Sequence, residues 1–459
     1  MTFMQKVIEK IKGLNIKVLD KQEDIYPYAF DTAPLKDEIA LPVCVVFPAS
    51  TENVRDIIKI AAEYGLNIIP RGAATCHTSG CKPNNKSIVL HLSLMDKIIE
   101  LNKEDLTIKV QPYVTIGHLN KEAEKNGLFF PPDPSNLAVS TAGGAVALSS
   151  GGPRAFKYGT TKDYVINLKV VLPTGEIIET GSNVAKNVTG YNLTQLFTGS
   201  EGTLGVITEI TFKLIPKPEK RLVTFAYFDS IVDAAKGVNN VINALIVPST
   251  LDLLDKNTLQ TIEKFNPTGI IEDKEAALLI EIDGSEAKIK EDNKKLFSIL
   301  ENSGAVKIIQ SNNEEENENI WKARRSAYAC VTKLKPNVAT EDVVVNKSKI
   351  LPLIQGIREI CSKYNIMVCI MGHAGDGNIH PNFALDLNNE EEKKNFEKVK
   401  TELFKLAIDL GGSLSGEHGI GSEKKPYLKM ALDPVAYKYM EKIKKLFDPD
   451  NIMNPNKMF

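Results

Sequence analysis

Residues Ser140–Val165 read STAGGAVALSSGGPRAFKYGTTKDYV. The glycines come in pairs, Gly143-Gly144 and Gly151-Gly152, among small hydroxyl residues. A main chain without Cβ atoms can approach a flat ligand closely. Together with the preceding prolines, the segment from Pro131 to Gly159 is too rich in Gly, Ser and Pro for regular structure and too apolar for a linker. It is expected to be irregular and buried against a ligand.

Two more stretches of this kind flank it, RGAATCHTSG (Arg71–Gly80) and GSEGTLGVITE (Gly199–Glu209). The first lacks G-x-G-x-x-G spacing and no helix follows at once, so it does not predict a Rossmann nucleotide site. A loop of small residues can still aim successive N–H groups at a pyrophosphate as an anion-binding nest. Three such stretches in one domain point to an extended cofactor lying across loops.

Around them, Val43–Phe47 reads as a strand and Ser50-Thr51 as helix caps, with Glu52 in the first turn of a helix running to Gly65. Strands are expected at Leu66–Pro70, Ser87–Leu92, Thr107–Val114 and Tyr164–Leu172, and a helix at Ile116–Asn126. The stretch PKPEK (Pro216–Lys220) interrupts the apolar pattern and marks a boundary. Beyond it, strands at Leu222–Phe228, Ala277–Ile282, Val306–Gln310, Val338–Val345 and Ile366–Met371 alternate with helical stretches, which predicts an α+β or α/β second domain. The acidic run Asn312–Asn319 reads as a solvated helix start.

The length of 459 residues favours two or three domains. Lys and Arg (56) nearly balance Asp and Glu (58), so no global basic field draws the chain to nucleic acid. No apolar run reaches the ~18 residues of a membrane span. The N-terminus is an expected amphipathic helix rather than a signal peptide. The six cysteines form no CxxC pair, which disfavours a disulfide framework, zinc ribbon or iron–sulfur cluster and fits a cytoplasmic protein.

Three of the six histidines fall in two Gly-rich stretches, GHAGDGNIHPNF (Gly372–Phe383) and SGEHGIG (Ser415–Gly421). Asp376-Gly377 is a hairpin-turn signal, so His373 and His380 should flank a turn and approach each other. With Glu417 they would make two imidazoles and a carboxylate, the ligand set of a catalytic divalent metal. His418 would then be available as a base. The same residues also allow a plain hairpin with two structural histidines and a surface glutamate. A metallohydrolase using the His2Glu set, with a purely structural first domain, is a reading of another class.

Taken in order, the glycine-rich stretches, the two histidine motifs and FDPDNIMNPNKMF (Phe447–Phe459) resemble the FAD-linked D-2-hydroxy-acid dehydrogenases of the vanillyl-alcohol-oxidase and p-cresol-methylhydroxylase superfamily. The likeness runs from about Lys36 to the end. It implies an α+β fold: an N-terminal helical segment (1–36), a two-subdomain FAD-binding domain (37–218), an α+β, ferredoxin-like substrate cap (219–425) and a C-terminal segment returning to the FAD domain (426–459).

The implied cofactor is noncovalent FAD. In the first loop its contacts would be Pro70, Arg71, Gly72, Ala73, Ala74, Thr75, Ser79 and Gly80. The middle segment would add Pro134, Ser140, Thr141, Gly144, Ser150, Gly151, Gly152, Tyr158 and Gly159. The third loop would add Glu201, Gly202, Gly205, Val206 and Ile207, and the tail Asn454. His373, His380 and Glu417 would hold one divalent ion, iron, zinc or manganese. His418 would be the base, Arg324 in IWKARRSAY (Ile320–Tyr328) would bind the substrate carboxylate, and Asn382 would line the site.

The implied reaction is oxidation of a small D-2-hydroxy acid, D-lactate first, with glycolate or 2-hydroxyglutarate as alternatives. Electrons would pass to an electron-transferring flavoprotein or another acceptor subunit. Departures from the family pattern include Ala74 and Cys81 where glycine is usual, His77, and NPNK at the tail. If Ala74 needed a positive φ, it would cost on the order of 1 kcal/mol.

Overall fold

The apolar run before Ser50 forms the strand Cys44–Phe47, and Ser50 caps the helix Thr51–Glu63 by accepting the Asn53 N–H at 3.2 Å. The computed structural model describes residues 3–34 and 39–459, so the expected boundary between 36 and 37 lies outside the described residues. Contacts divide the chain into two units. The first comprises Met1–Gly151, Thr160–Lys217 and Glu417–Phe459, and the second Gly152–Gly159 and Pro218–Gly416.

The first unit is built on two larger sheets, beside a two-strand pair of Leu128–Phe129 with Ile215–Pro216. Cys44–Phe47 and Asn67–Arg71 both run parallel to Ser87–His91, with Lys17–Leu19 antiparallel at one edge. Helix Thr51–Glu63 buries Val54, Ile57, Ile58 and Ala61, and helix Phe3–Lys12 adds Val7, Ile8 and Ile11 to the same core. Each fully buried aliphatic side chain contributes roughly 1.5–3 kcal/mol over its exposed state. The second sheet is an antiparallel five-strand array in the order Ile98–Asn102, Thr107–Val110, Val206–Lys213, Val165–Val171, Ile177–Glu179.

The segment expected to be irregular contains a helix, Ala142–Leu148. Thr141 starts it by accepting the Gly144 N–H at 3.2 Å. Gly143 is required for space, since a Cβ there would lie 2.7 Å from Pro112. Its glycines therefore serve packing within a helix as well as open backbone. The irregular tail bonds along the strand Asn67–Arg71: the Ile68 N–H donates to Ile452 O at 2.7 Å and the Asn454 N–H to Ile68 O at 2.8 Å.

The second unit carries one eight-strand sheet. The strands Lys220–Phe228, Thr250–Asp255, Ala276–Gly284 and Ala305–Gln310 lie in the sheet order fourth, first, third, second. With helices Ile231–Asn243 and Glu286–Asn302 as the connections, this is the split βαβ, ferredoxin-like plan. Asn337–Thr340, helix Ile350–Lys363, Met367–His373 and Asn378–Leu385 repeat its first three strands in the order first, third, second. The two halves join where Thr250–Asp255 pairs with Met367–His373, in the register Asp252↔His373, Leu253↔Gly372, Leu254↔Met371. The acidic run opens the helix Glu314–Val331, capped by Asn313 accepting the Glu316 N–H.

Candidate active site

In the second unit Met367–His373 and Asn378–Leu385 form the expected hairpin, and its loop is Ala374–Gly377. Gly377 has φ +87°, and a Cβ there would lie 2.0 Å from Val345 O. Only glycine makes this turn. The register pairs Met371 with His380 and His373 with Asn378, so both histidines share one face, their ring centroids 5.0 Å apart. Both are buried.

Asp252, facing His373 across the join, is fully buried and organises this face. One oxygen lies 2.7 Å from His373 Nδ1, and the other accepts the Arg324 Nε–H at 2.7 Å. Burial by itself would raise its pKa, but His373 and Arg324 outweigh that and hold it below the usual carboxylate range. An ionised carboxylate only accepts, so Nδ1 of His373 carries the proton. Arg324 is buried, with Nη1 3.5 Å from Met371 Sδ. Arg325 is exposed and pairs with Glu318.

Asn382 accepts from Thr340 Oγ1 at 2.8 Å and donates to His380 O at 2.8 Å and Cys369 O at 3.3 Å. Those bonds tie it to the strand carrying His380. Asp342, fully buried, lies 3.6 Å from His380 Nδ1 and accepts from Asn378 Nδ2, Ser415 Oγ and the Gly416 N–H. It therefore fixes the strand-like stretch that ends at Gly416, where the chain passes into the first unit. Three residues expected at the cofactor, Gly152, Tyr158 and Gly159, belong to this second unit. Tyr158 Oη donates to Asp283 at 2.7 Å, and Lys157 pairs with the same carboxylate.

In the first unit the three small-residue loops converge. A Cβ on Gly72 would lie 2.6 Å from Thr141 Oγ1, and one on Gly202 3.1 Å from Pro70. The Gly199 and Glu201 N–H groups donate to Val146 O and Ala147 O, both at 2.8 Å. Asn454 Nδ2 donates to Gly80 O at 2.9 Å and Glu201 O at 2.7 Å, joining the first loop, the third loop and the tail. Ala74 and Ser79 adopt φ +57° and +56°, so the loop keeps the left-handed turn despite alanine. Arg71 donates to Phe30 O and Tyr28 O, which places its charge on the adjacent main chain. Gly205 is packed tightly against Val170, and Val206 and Ile207 are buried strand residues.

Glu201, expected at the cofactor, has a bracing contact that the sequence did not disclose. It accepts the Ile420 and Gly421 N–H groups at 2.6 and 2.7 Å and so holds the SGEHGIG loop. Burial raises its pKa against the pull of those two donors. Glu417 accepts the Gly151 N–H at 3.2 Å, and the His418 ring lies 5.0 Å from that of His77. Asp252, Asp342 and Glu201 share one sequence signal, a carboxylate set inside an apolar or glycine-rich run.

The loops fit FAD: small residues, left-handed turns and main-chain amides gather in the first unit, as a pyrophosphate and a flat ring system require. The donor set of the second unit suits a divalent ion, since a histidine held at Nδ1 by a carboxylate is the usual companion of metal ligation.

Comparison with known proteins agrees on FAD. Residues 217–458 match the FAD linked oxidases, C-terminal domain, and residues 42–181 match an FAD binding domain. The chain is 42% identical to a glycolate oxidase subunit GlcD of Bacillus subtilis, over 94% of this chain and 92% of that protein. It is 33% identical to a D-lactate dehydrogenase of Anaerostipes hadrus, over 99% and 97%. Among solved structures, p-cresol methylhydroxylase with substrate bound superposes with a TM-score of 0.83 at 17% identity, covering 99% of this chain and 96% of the other. That likeness shows a shared fold with p-cresol methylhydroxylase, as expected from the sequence. With FAD-binding and FAD-oxidase segments spanning most of its length, and close kinship to glycolate and D-lactate enzymes, the chain belongs to the FAD-linked oxidases that act on hydroxy acids.

Proposed function

We propose that the protein is a cytoplasmic dehydrogenase that oxidises D-lactate, or a close D-2-hydroxy acid, to the 2-oxo acid. The observation that carries this reading is Asp252, which orients a buried arginine and a histidine on one face of the cap sheet. Arg324 binds the substrate carboxylate, for which its planar fork is suited. His418 takes the hydroxyl proton as the C2–H pair leaves as hydride and the C=O bond forms. Asn382 and Asp342 position His380.

Noncovalently bound FAD supplies the two-electron acceptor at N5. A divalent ion, iron, zinc or manganese, on His373, His380 and Glu417 would supply polarisation of the substrate hydroxyl. With His373 Nδ1 committed to Asp252, Nε2 would be the atom left to hold the ion. The Bacillus subtilis relative is one subunit of a glycolate oxidase, which supports an acceptor partner, and an electron-transferring flavoprotein is the partner proposed. The same relative favours glycolate as the second substrate reading.

Anaerobic flavin bleaching by a panel of D- and L-2-hydroxy acids tests the proposal. D-Lactate should bleach fastest. Bleaching by glycolate alone would transfer the assignment to glycolate, and an inert flavin across the panel would end the dehydrogenase reading. Chelation should slow bleaching and release one metal equivalent per chain. His418→Ala should retain flavin and lose bleaching by at least a hundredfold.

A further inference from the structure

Cys76, in the middle of the first glycine-rich loop, and Cys81, the residue after it, meet Asp31 of the preceding segment, all within the first unit. The two sulfurs are 3.8 Å apart, and Asp31 Oδ2 lies 3.0 Å from Cys76 Sγ and 3.8 Å from Cys81 Sγ. A tetrahedral zinc with Zn–S near 2.3 Å and Zn–O near 2.0 Å has an S···S edge of about 3.8 Å and S···O edges of about 3.5 Å. The three donors outline one face of that tetrahedron. A disulfide would need the sulfurs at about 2.0 Å and has no use for a carboxylate oxygen shared between them.

The surroundings suit a ligand set that turns anionic. The Ala33 N–H donates to Asp31 Oδ1 at 3.0 Å, leaving Oδ2 toward the thiols. Arg71 Nη1 lies 3.6 Å from Cys81 Sγ, and the Lys457 ammonium is close enough to feel Cys81, Asp31 and Cys76. Two thiolates and a carboxylate carry three negative charges, which a divalent ion and these two cations more than offset. Thr32 Oγ1 donates to Cys76 O at 2.6 Å, so the same segment already grips the loop through its main chain. The loop contains the left-handed Ala74 and Ser79, whose conformation a cross-link of this kind would hold.

We propose that Asp31, Cys76 and Cys81 form a structural thiolate site for zinc that pins this loop to residues 31–33. On binding, the two S–H bonds break, both protons go to solvent, and two Zn–S bonds and one Zn–O bond form with no change of oxidation state. Water completes the tetrahedron.

Cobalt titration of the chelator-treated flavoprotein, read as a difference spectrum, tests the site apart from the histidine set, because only thiolates give sulfur-to-cobalt charge-transfer absorption. One equivalent should produce that band, and zinc should displace it and raise the melting temperature. Cys76→Ser and Cys81→Ser should each weaken the band-forming site at least tenfold. Asp31→Asn should weaken it about tenfold, and His373→Ala should leave it unchanged. Absence of the band in the unsubstituted protein overturns the proposal without reference to any variant. So does a band that persists in both cysteine variants, or a Cys76–Cys81 disulfide found by mass spectrometry in anaerobically prepared protein.

Discussion

Asp252 is the residue through which the proposed chemistry is most exposed to test, because one buried carboxylate holds both Arg324 and His373. Asp252→Asn keeps the volume and removes the charge. It should raise KM as Arg324 loses its orientation and lower kcat/KM by about 10- to 100-fold, with flavin absorbance unchanged, in steady-state assays of the holoenzyme. His91 makes a different prediction. It sits among the rings of Tyr28, Phe47 and Tyr113, and burial first, then Arg71 and Lys17, push its pKa from 6.5 to about 4. The folded state thus favours neutral His91. Between pH 6.5 and about 4 the unfolded chain takes up the proton first, so stability should fall as pH falls through that window and level off below it. Denaturant midpoints against pH should show this decline, and His91→Gln should remove its share.

The hairpin Met367–Leu385 stands or falls on one backbone angle. Gly377→Ala would demand both a left-handed alanine and 2.0 Å contact with Val345 O. A loss on the order of 3 kcal/mol is expected by thermal unfolding, with metal affinity falling together with stability. This hairpin was readable in the sequence because an Asp-Gly turn follows an apolar run, and the helix Glu314–Val331 was readable from its carboxylates. The strand Thr250–Asp255 was not. All six of its residues are buried, so TLDLLD lacks the in–out alternation that marks a half-exposed strand, and its two aspartates look like surface. The helix Ala142–Leu148 was hidden for the opposite reason: glycines read as loop, while close packing on Pro112 was the cause of one of them. The hairpin and the small-residue loops that carry the expected site residues were legible. The bracing contacts of Asp252 and of Glu201 were not, because they span 121 and 220 residues of sequence.

At the scale of the whole molecule, the C-terminal tail closes the first unit. Ending the chain at Phe447 would remove the bonds to Ile68 and those of Asn454 to Gly80 O and Glu201 O. At about 1 kcal/mol for each hydrogen bond, a loss of several kcal/mol and of flavin retention on gel filtration is expected. Asn454→Ala should show a milder form of both. In the second unit the sheet is one plan laid down nearly twice, and its halves pair as strands at 252–254 with 371–373, with the Ile370 N–H also donating to Asp255 Oδ1 at 3.0 Å. Asp252 rivets that junction by gripping a histidine from one side and an arginine from a packed helix. Catalytic competence and mechanical integrity are thereby housed in the same rivet: amide exchange at Leu253, Leu254 and Met371 should quicken in Asp252→Asn and slow when substrate is bound.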